Sequence, residues 1–176
     1  MIPFALFTSI VCVLGVSLLL SHVRAHRVTS STWNDLVGKL QPVPSEGMTR
    51  VALDHLVPTK NQLELEPADM WDMVGGLEGL QRMSDNAAVL IALAAHAEQW
   101  NYDEGVIVAE RMRRDGLAVH RAVRSIQVAM FFHIGQVRIP FQLHEAAGSY
   151  YLMKQRLLAL YETSHAGLYP RLAEAL

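Results

Sequence analysis

Residues 101–135 read NYDEGVIVAERMRRDGLAVHRAVRSIQVAMFFHIG, and this stretch decides the fold class. Ala109, Met112, Gly116, Val119, Val123, Ile126 and Met130 recur at alternating steps of three and four. At 3.6 residues per turn, that spacing gathers apolar side chains on one side of a helix, as in the seam of a helical bundle. Asn101 and Glu104 have the spacing of a capping box, in which each side chain serves the other's backbone. Gly135 is a natural stop. A long helix is predicted here, with His133 at a seam position beside Phe131 and Phe132.

Outward from this helix the same pattern repeats. Pro140 opens a second long helix, in which Leu143, Ala146, Tyr150, Met153, Leu157 and Leu160 share one side. Pro170 starts a short terminal helix, and Tyr161, Leu168, Tyr169 and Leu172 are expected to pack against the bundle. Upstream, AAVLIALAAHA at 87–97 is too short to span a bilayer and contains His96, so it reads as a buried central helix. Ser84 is expected to cap it, and it should run to about Trp100. Before it, Pro67 opens a helix with Met70, Met73, Val74, Leu77 and Leu80 on one face. Gly75, Gly76 and Gly79 each weaken that helix by about 1 kcal/mol relative to alanine, which implies a kink or a close helix crossing.

The resulting fold class is all-α: an antiparallel bundle of about four main helices with short flanking helices, over residues 67–176. Residues 28–66 read as a connecting arm. Thr32 to Leu40 can form a short helix ended by Pro42 and Pro44. Ser45 can cap another, closed by Pro58 after Leu56. Thr59 to Glu66 alternates Leu63 and Leu65 with Glu64 and Glu66, the pattern of an extended strap.

The N-terminal run IPFALFTSIVCVLGVSLLL carries no charged side chain. About 20 residues at 1.5 Å each match a bilayer core of roughly 30 Å. Phe4, Leu6, Phe7, Ile10, Val11, Leu14, Val16, Leu18, Leu19 and Leu20 supply the lipid-facing bulk of an N-terminal transmembrane anchor within residues 1–27. No basic region precedes the run, and its length exceeds a usual signal-peptide core, although Val23-Arg24-Ala25 loosely resembles a cleavage site. Arg24 and Arg27 follow the span. By the positive-inside rule they place the N-terminus outside and the following domain on the cytoplasmic side of an inner membrane, for a bacterial source. The single cysteine, Cys12, lies within the run and cannot form an internal disulfide.

Composition excludes some classes. A hydrophobic share of 51% with 18% charged residues is incompatible with a disordered chain. A net charge of −2 offers no general attraction to nucleic acid, and no aromatic-basic interleaving accompanies the arginines, so no nucleic-acid partner is expected. No cofactor is implied, and one cysteine rules out a zinc finger. Serine-histidine-aspartate chemistry has no G-x-S-x-G to rest on.

Two constellations remain. Glu162-Thr163-Ser164-His165 is one Glu-x-x-His pair of the kind used in di-iron bundles, but a second pair is absent. Glu162 and His165 are therefore weak metal candidates, with His96, Glu98, His133, His144 and Glu145 as possible company. His96 and His133 otherwise read as neutral core histidines bonded to a carbonyl or carboxylate. Second, Arg114, Arg121 and Arg124 fall near one helix face. They form a solvated face, pair with the acidic residues of 64–85, or face anionic lipid or an acidic partner. The leading functional expectation is a non-enzymatic, membrane-anchored interaction or scaffold module with a protein partner or self-association. The alternatives are a metal-dependent enzyme using Glu162 and His165, and an anionic-lipid sensor using the arginine face.

Overall fold

The computed structural model describes residues 32–58, 65–98, 100, 102–132 and 139–176. Among them are seven helices and no strand. In chain order they are α1 (Trp33–Val37), α2 (Ser45–Leu56), α3 (Pro67–Met73), α4 (Gly76–Ala97), α5 (Tyr102–Phe131), α6 (Ile139–Ser164) and α7 (Tyr169–Ala175). Residues from Trp33 to Leu176 belong to one compact unit. None of these helices is long and apolar enough to cross a membrane. The anchor residues from Phe4 to Leu20 and the flank Arg24 and Arg27 lie outside the described residues, as do the cap residue Asn101, the strap 59–64, His133 and Gly135.

The two longest helices form where their periodicity places them. On α5, Ala109, Met112, Gly116, Val119, Val123 and Ile126 are buried, and Ala122 joins them. On α6 all six seam residues, Leu143 to Leu160, are buried. Cross-links between side chains fix the directions. Gln127 Nε2 donates to Gln81 Oε1 at 2.8 Å, and Arg113 pairs with Glu98 at 3.6 Å, so α4 and α5 run antiparallel. Asp115 pairs with Arg156, and Gln142 Nε2 donates to Ser125 Oγ, so α5 and α6 do too. Gly116 faces α4 closely: a Cβ there would lie 2.7 Å from Ile91 Cδ1, so the Ile91 side chain would have to shift to admit one.

Three expectations need correction. The break between the first two core helices falls at Val74–Gly75 rather than at Ser84. Gly75 has φ +79°, a left-handed conformation that glycine alone adopts without cost. A Cβ on Gly79 would lie 1.8 Å from the Val74 carbonyl oxygen, so the chain turns tightly back on itself here. Ser84 is interior to α4; its hydroxyl is hydrogen-bonded to His120 Nδ1 at 2.6 Å across the α4–α5 contact. Leu77, placed on the inward face, is 41% exposed because that break turns α4 away from the direction of α3. Met130, also 41% exposed, lies beyond the buried part of α5, whose seam ends at Ile126.

Two helices lie within the span read as a connecting arm, and both reach the core. Met48, Val51 and Ala52 of α2 are completely buried, as is Leu36 of α1 almost entirely. A Cβ on Gly47 would lie 2.3 Å from the Met73 carbonyl oxygen, so α2 also crosses α3 closely. Asn86, 1% exposed, ties the loop between α1 and α2 to α4. It accepts from the Gln41 backbone N–H at 2.9 Å, donates to the Gln41 carbonyl at 2.8 Å, and donates to Tyr150 Oη at 3.1 Å. A buried amide with its bonds made costs little, whereas an unmade one would cost about 1–3 kcal/mol.

Candidate functional site

Three places on this scaffold hold chemistry-bearing side chains. The first is the contact between α2 and α6. His144 Nε2 lies 2.9 Å from Asp54 Oδ2, with side chains only 2% and 8% exposed. The His55 ring stacks on His144 at 5.5 Å, and Phe141 meets His55 edge-on at 6.3 Å. Gly148 lies beside this pair, where a Cβ would make ordinary van der Waals contact with His55 and Leu56. An open cleft of about 710 Å³ borders Asp54 and is lined along α2 by Ser45, Glu46, Thr49 and Arg50. A carboxylate holding an imidazole this way fixes its orientation and tautomer. No sequence signal joins residues 54 and 144, which are ninety positions apart.

The second place is the C-terminal end of α6. Glu162 and His165 are both exposed. Trp100 packs between two imidazoles, with ring centroids 4.8 Å from His165 and 5.0 Å from His96. Among the described residues, no three His, Cys, Asp or Glu side chains gather as metal ligands. His96 is half-buried, and its Nδ1 has neither the carbonyl nor the carboxylate partner expected of a core histidine. Beneath Trp100 the packing is firm. Tyr161 Oη donates to the Leu93 carbonyl at 3.0 Å and accepts from Trp33 Nε1 at 3.1 Å. Burial pushes its phenol up to about 12. Tyr161 and Leu172 are buried, so the C-terminal residues do pack on the bundle.

The third place is the outer side of α5. Arg114, Arg121 and Arg124 are all exposed and point away from the core. At 100° per residue, Arg114, Leu117, Arg121, Arg124, Val128 and Phe131 fall within an arc of about 100°. Leu117 is 61% exposed, Val128 50% and Phe131 78%. Arg114 shares Glu110 with Arg113 at 3.5 and 3.4 Å. Arg121 and Arg124 make no ion pair among the described residues. Within 65–85 the ion pair among the described residues is Glu78 with Arg82 on its own helix, and farther on Glu98 pairs with Arg113. The pairing of these three arginines with the early acidic segment therefore does not form among the described residues.

The α5 face ends in an apolar corner formed by the adjacent Phe131 and Phe132. Phe131, Phe132 and Phe141 are 78%, 59% and 65% exposed, and the rings of Phe131 and Phe132 meet edge-on at 5.0 Å. Phe141 reaches toward α2 through His55, and Leu56 and Val57 at the end of α2 are exposed as well. The sequence contains a hint of this: two adjacent phenylalanines cannot both follow a seam spaced by three and four. Comparison with known proteins returns no match to this chain, whether family model, curated sequence or solved structure.

Proposed function

We propose that this chain is a non-enzymatic interaction module, anchored in a membrane by its apolar run 2–20 and carrying its helical domain on the cytoplasmic side. The observation that carries the reading is the exposed pair Phe131 and Phe132 at the end of α5, whose rings meet edge-on. Soluble monomers seldom expose contiguous apolar patches beyond roughly 300–600 Å², and patches of that kind mark contact surfaces. The exposed parts of these rings add nothing to stability while they stand in water. Each would release about 25 cal/mol for every Å² it buried against a partner. The surrounding architecture suits such a role. A rigid bundle with interlocked helices holds the corner in place, so little conformational freedom is lost on contact.

The metal-dependent alternative draws no support from Glu162 and His165, which stand exposed with His165 packed on Trp100. The test is purification of the full-length protein in a mild detergent beside a Phe131→Ser/Phe132→Ser variant. The reading expects a stoichiometric partner, or a defined oligomer, that the variant loses while keeping its helical circular-dichroism spectrum. Identical behaviour of the two proteins would overturn it.

A further inference from the structure

The same face carries a more specific reading. We infer that the outer side of α5 docks on an anionic bilayer surface, with the phenylalanine corner entering the headgroup layer. This deepens the interaction reading above, rests on it, and names the partner. Three observations support it.

The first is composition along one straight face. Arg114, Leu117, Arg121, Arg124, Val128 and Phe131 put three basic and three apolar side chains on one face over about 26 Å of helix, the basic ones toward its start and, Leu117 aside, the apolar ones toward its end. That mixture is the pattern of helices that lie in the plane of a membrane interface: arginine heads reach the phosphates while leucine and phenylalanine enter the acyl boundary. The second is charge complementarity. Arg121 and Arg124 have no ion partner among the described residues; of the two acids of α5 in the same arc, Asp103 sits three turns before Arg114, and Glu110 sits one turn before it and is held by Arg113 and Arg114. A cationic surface left open in this way matches lipid phosphates, and the arginine stems can lie along the apolar neighbours while the heads stay hydrated. The third is placement. On the proposed topology the domain is tied to the bilayer by its own chain, so docking is an intramolecular event at high effective concentration, and a weak face suffices. A soluble acidic protein could meet the arginines, but it would leave the exposed Leu117, Val128 and Phe131 without a matched surface unless it supplied one.

The experiment uses the full chain in nanodiscs. Cys12 is replaced by Ser, and a polarity-sensitive fluorophore is attached through Leu117→Cys, with Glu162→Cys as an off-face control. Discs of phosphatidylcholine alone are compared with discs containing about a third phosphatidylglycerol, a composition that gives a negative surface potential. The proposal expects a blue-shifted emission at position 117, quenched by spin-labelled lipid, in anionic discs only, with position 162 unchanged. Arg121→Glu/Arg124→Glu should lower the docking equilibrium constant at least as much as neutralisation would, about fivefold for each arginine, and raised salt should lower it too. A label equally wet in both discs, or indifferent to the double reversal, overturns the proposal. Protection that appears only when cell extract is added, whatever the lipid charge, overturns lipid docking but leaves the interaction module standing. Protection that grows with protein density in both discs overturns it in favour of self-contact. No protection under any of these conditions removes both readings.

Discussion

The two ends of α6 use aromatic side chains in opposite ways. Near its C-terminus, Tyr161 and Trp33 are buried, joined by a hydrogen bond of 3.1 Å, and capped by Arg171, whose guanidinium lies 5.5 Å from the Trp33 ring centre. Near its N-terminus, Phe141 stands in water, as do Phe131 and Phe132 at the end of α5. Tyrosine and tryptophan carry a polar atom that can be satisfied inside the fold, and here both are. Phenylalanine has none, and these three rings keep most of their surface in water, with Phe141 meeting only the edge of His55 among the ring contacts of the described residues. One end is therefore stability, and the other is free for contact.

The largest effect should come from the buried end. Tyr161→Ala should cost about 3–5 kcal/mol in urea unfolding, through the cavity and the buried Trp33 Nε1–H left without its acceptor. A value near zero would break the contrast. Next, Gly79→Ala and Asp54→Ala should each cost about 1–3 kcal/mol. The first forces a methyl against the Val74 carbonyl, and the second leaves His144 buried without its partner. Third, Tyr150 and Tyr161 both have phenols pushed up to about 12, with burial the leading cause. A raised acid stabilises the fold fully below pH 10, its ordinary value, and loses that contribution as pH climbs through 12. Stability should therefore fall over that window, and Tyr161→Phe should flatten the decline followed by tyrosinate absorbance and helicity together. The smallest effect should be at the exposed end. Phe131→Ser should change unfolding free energy by no more than about 0.5 kcal/mol. A large loss there would mean that the corner belongs to the core after all.

The helical content and the two long seams were legible because period alone fixes them: residues 109–126 and 143–160 bury nearly every position the spacing selects. The short α2 was legible as a helix between Pro44 and Pro58, but its place in the core was not. Burial of Met48, Val51 and Ala52 depends on α6, about a hundred residues later. The break at Gly75 was ambiguous in sequence, because a serine and a glycine cluster both signal helix ends, and φ +79° decides between them only in three dimensions. The face of Arg114, Arg121 and Arg124 could be read from spacing. Its apolar companions could not, since Leu117 and Val128 look like core residues until the neighbouring helices show which side is covered. The His144–Asp54 pair has no local signature at all.

The most direct test of the contrast is photo-crosslinking in intact cells, with a benzophenone amino acid placed in the full chain at Phe131 or at the exposed Ala173 on α7. The account predicts abundant adducts from position 131 and few from position 173. Equal, sparse labelling at both would show that the phenylalanine corner remains in water and would contradict the central claim.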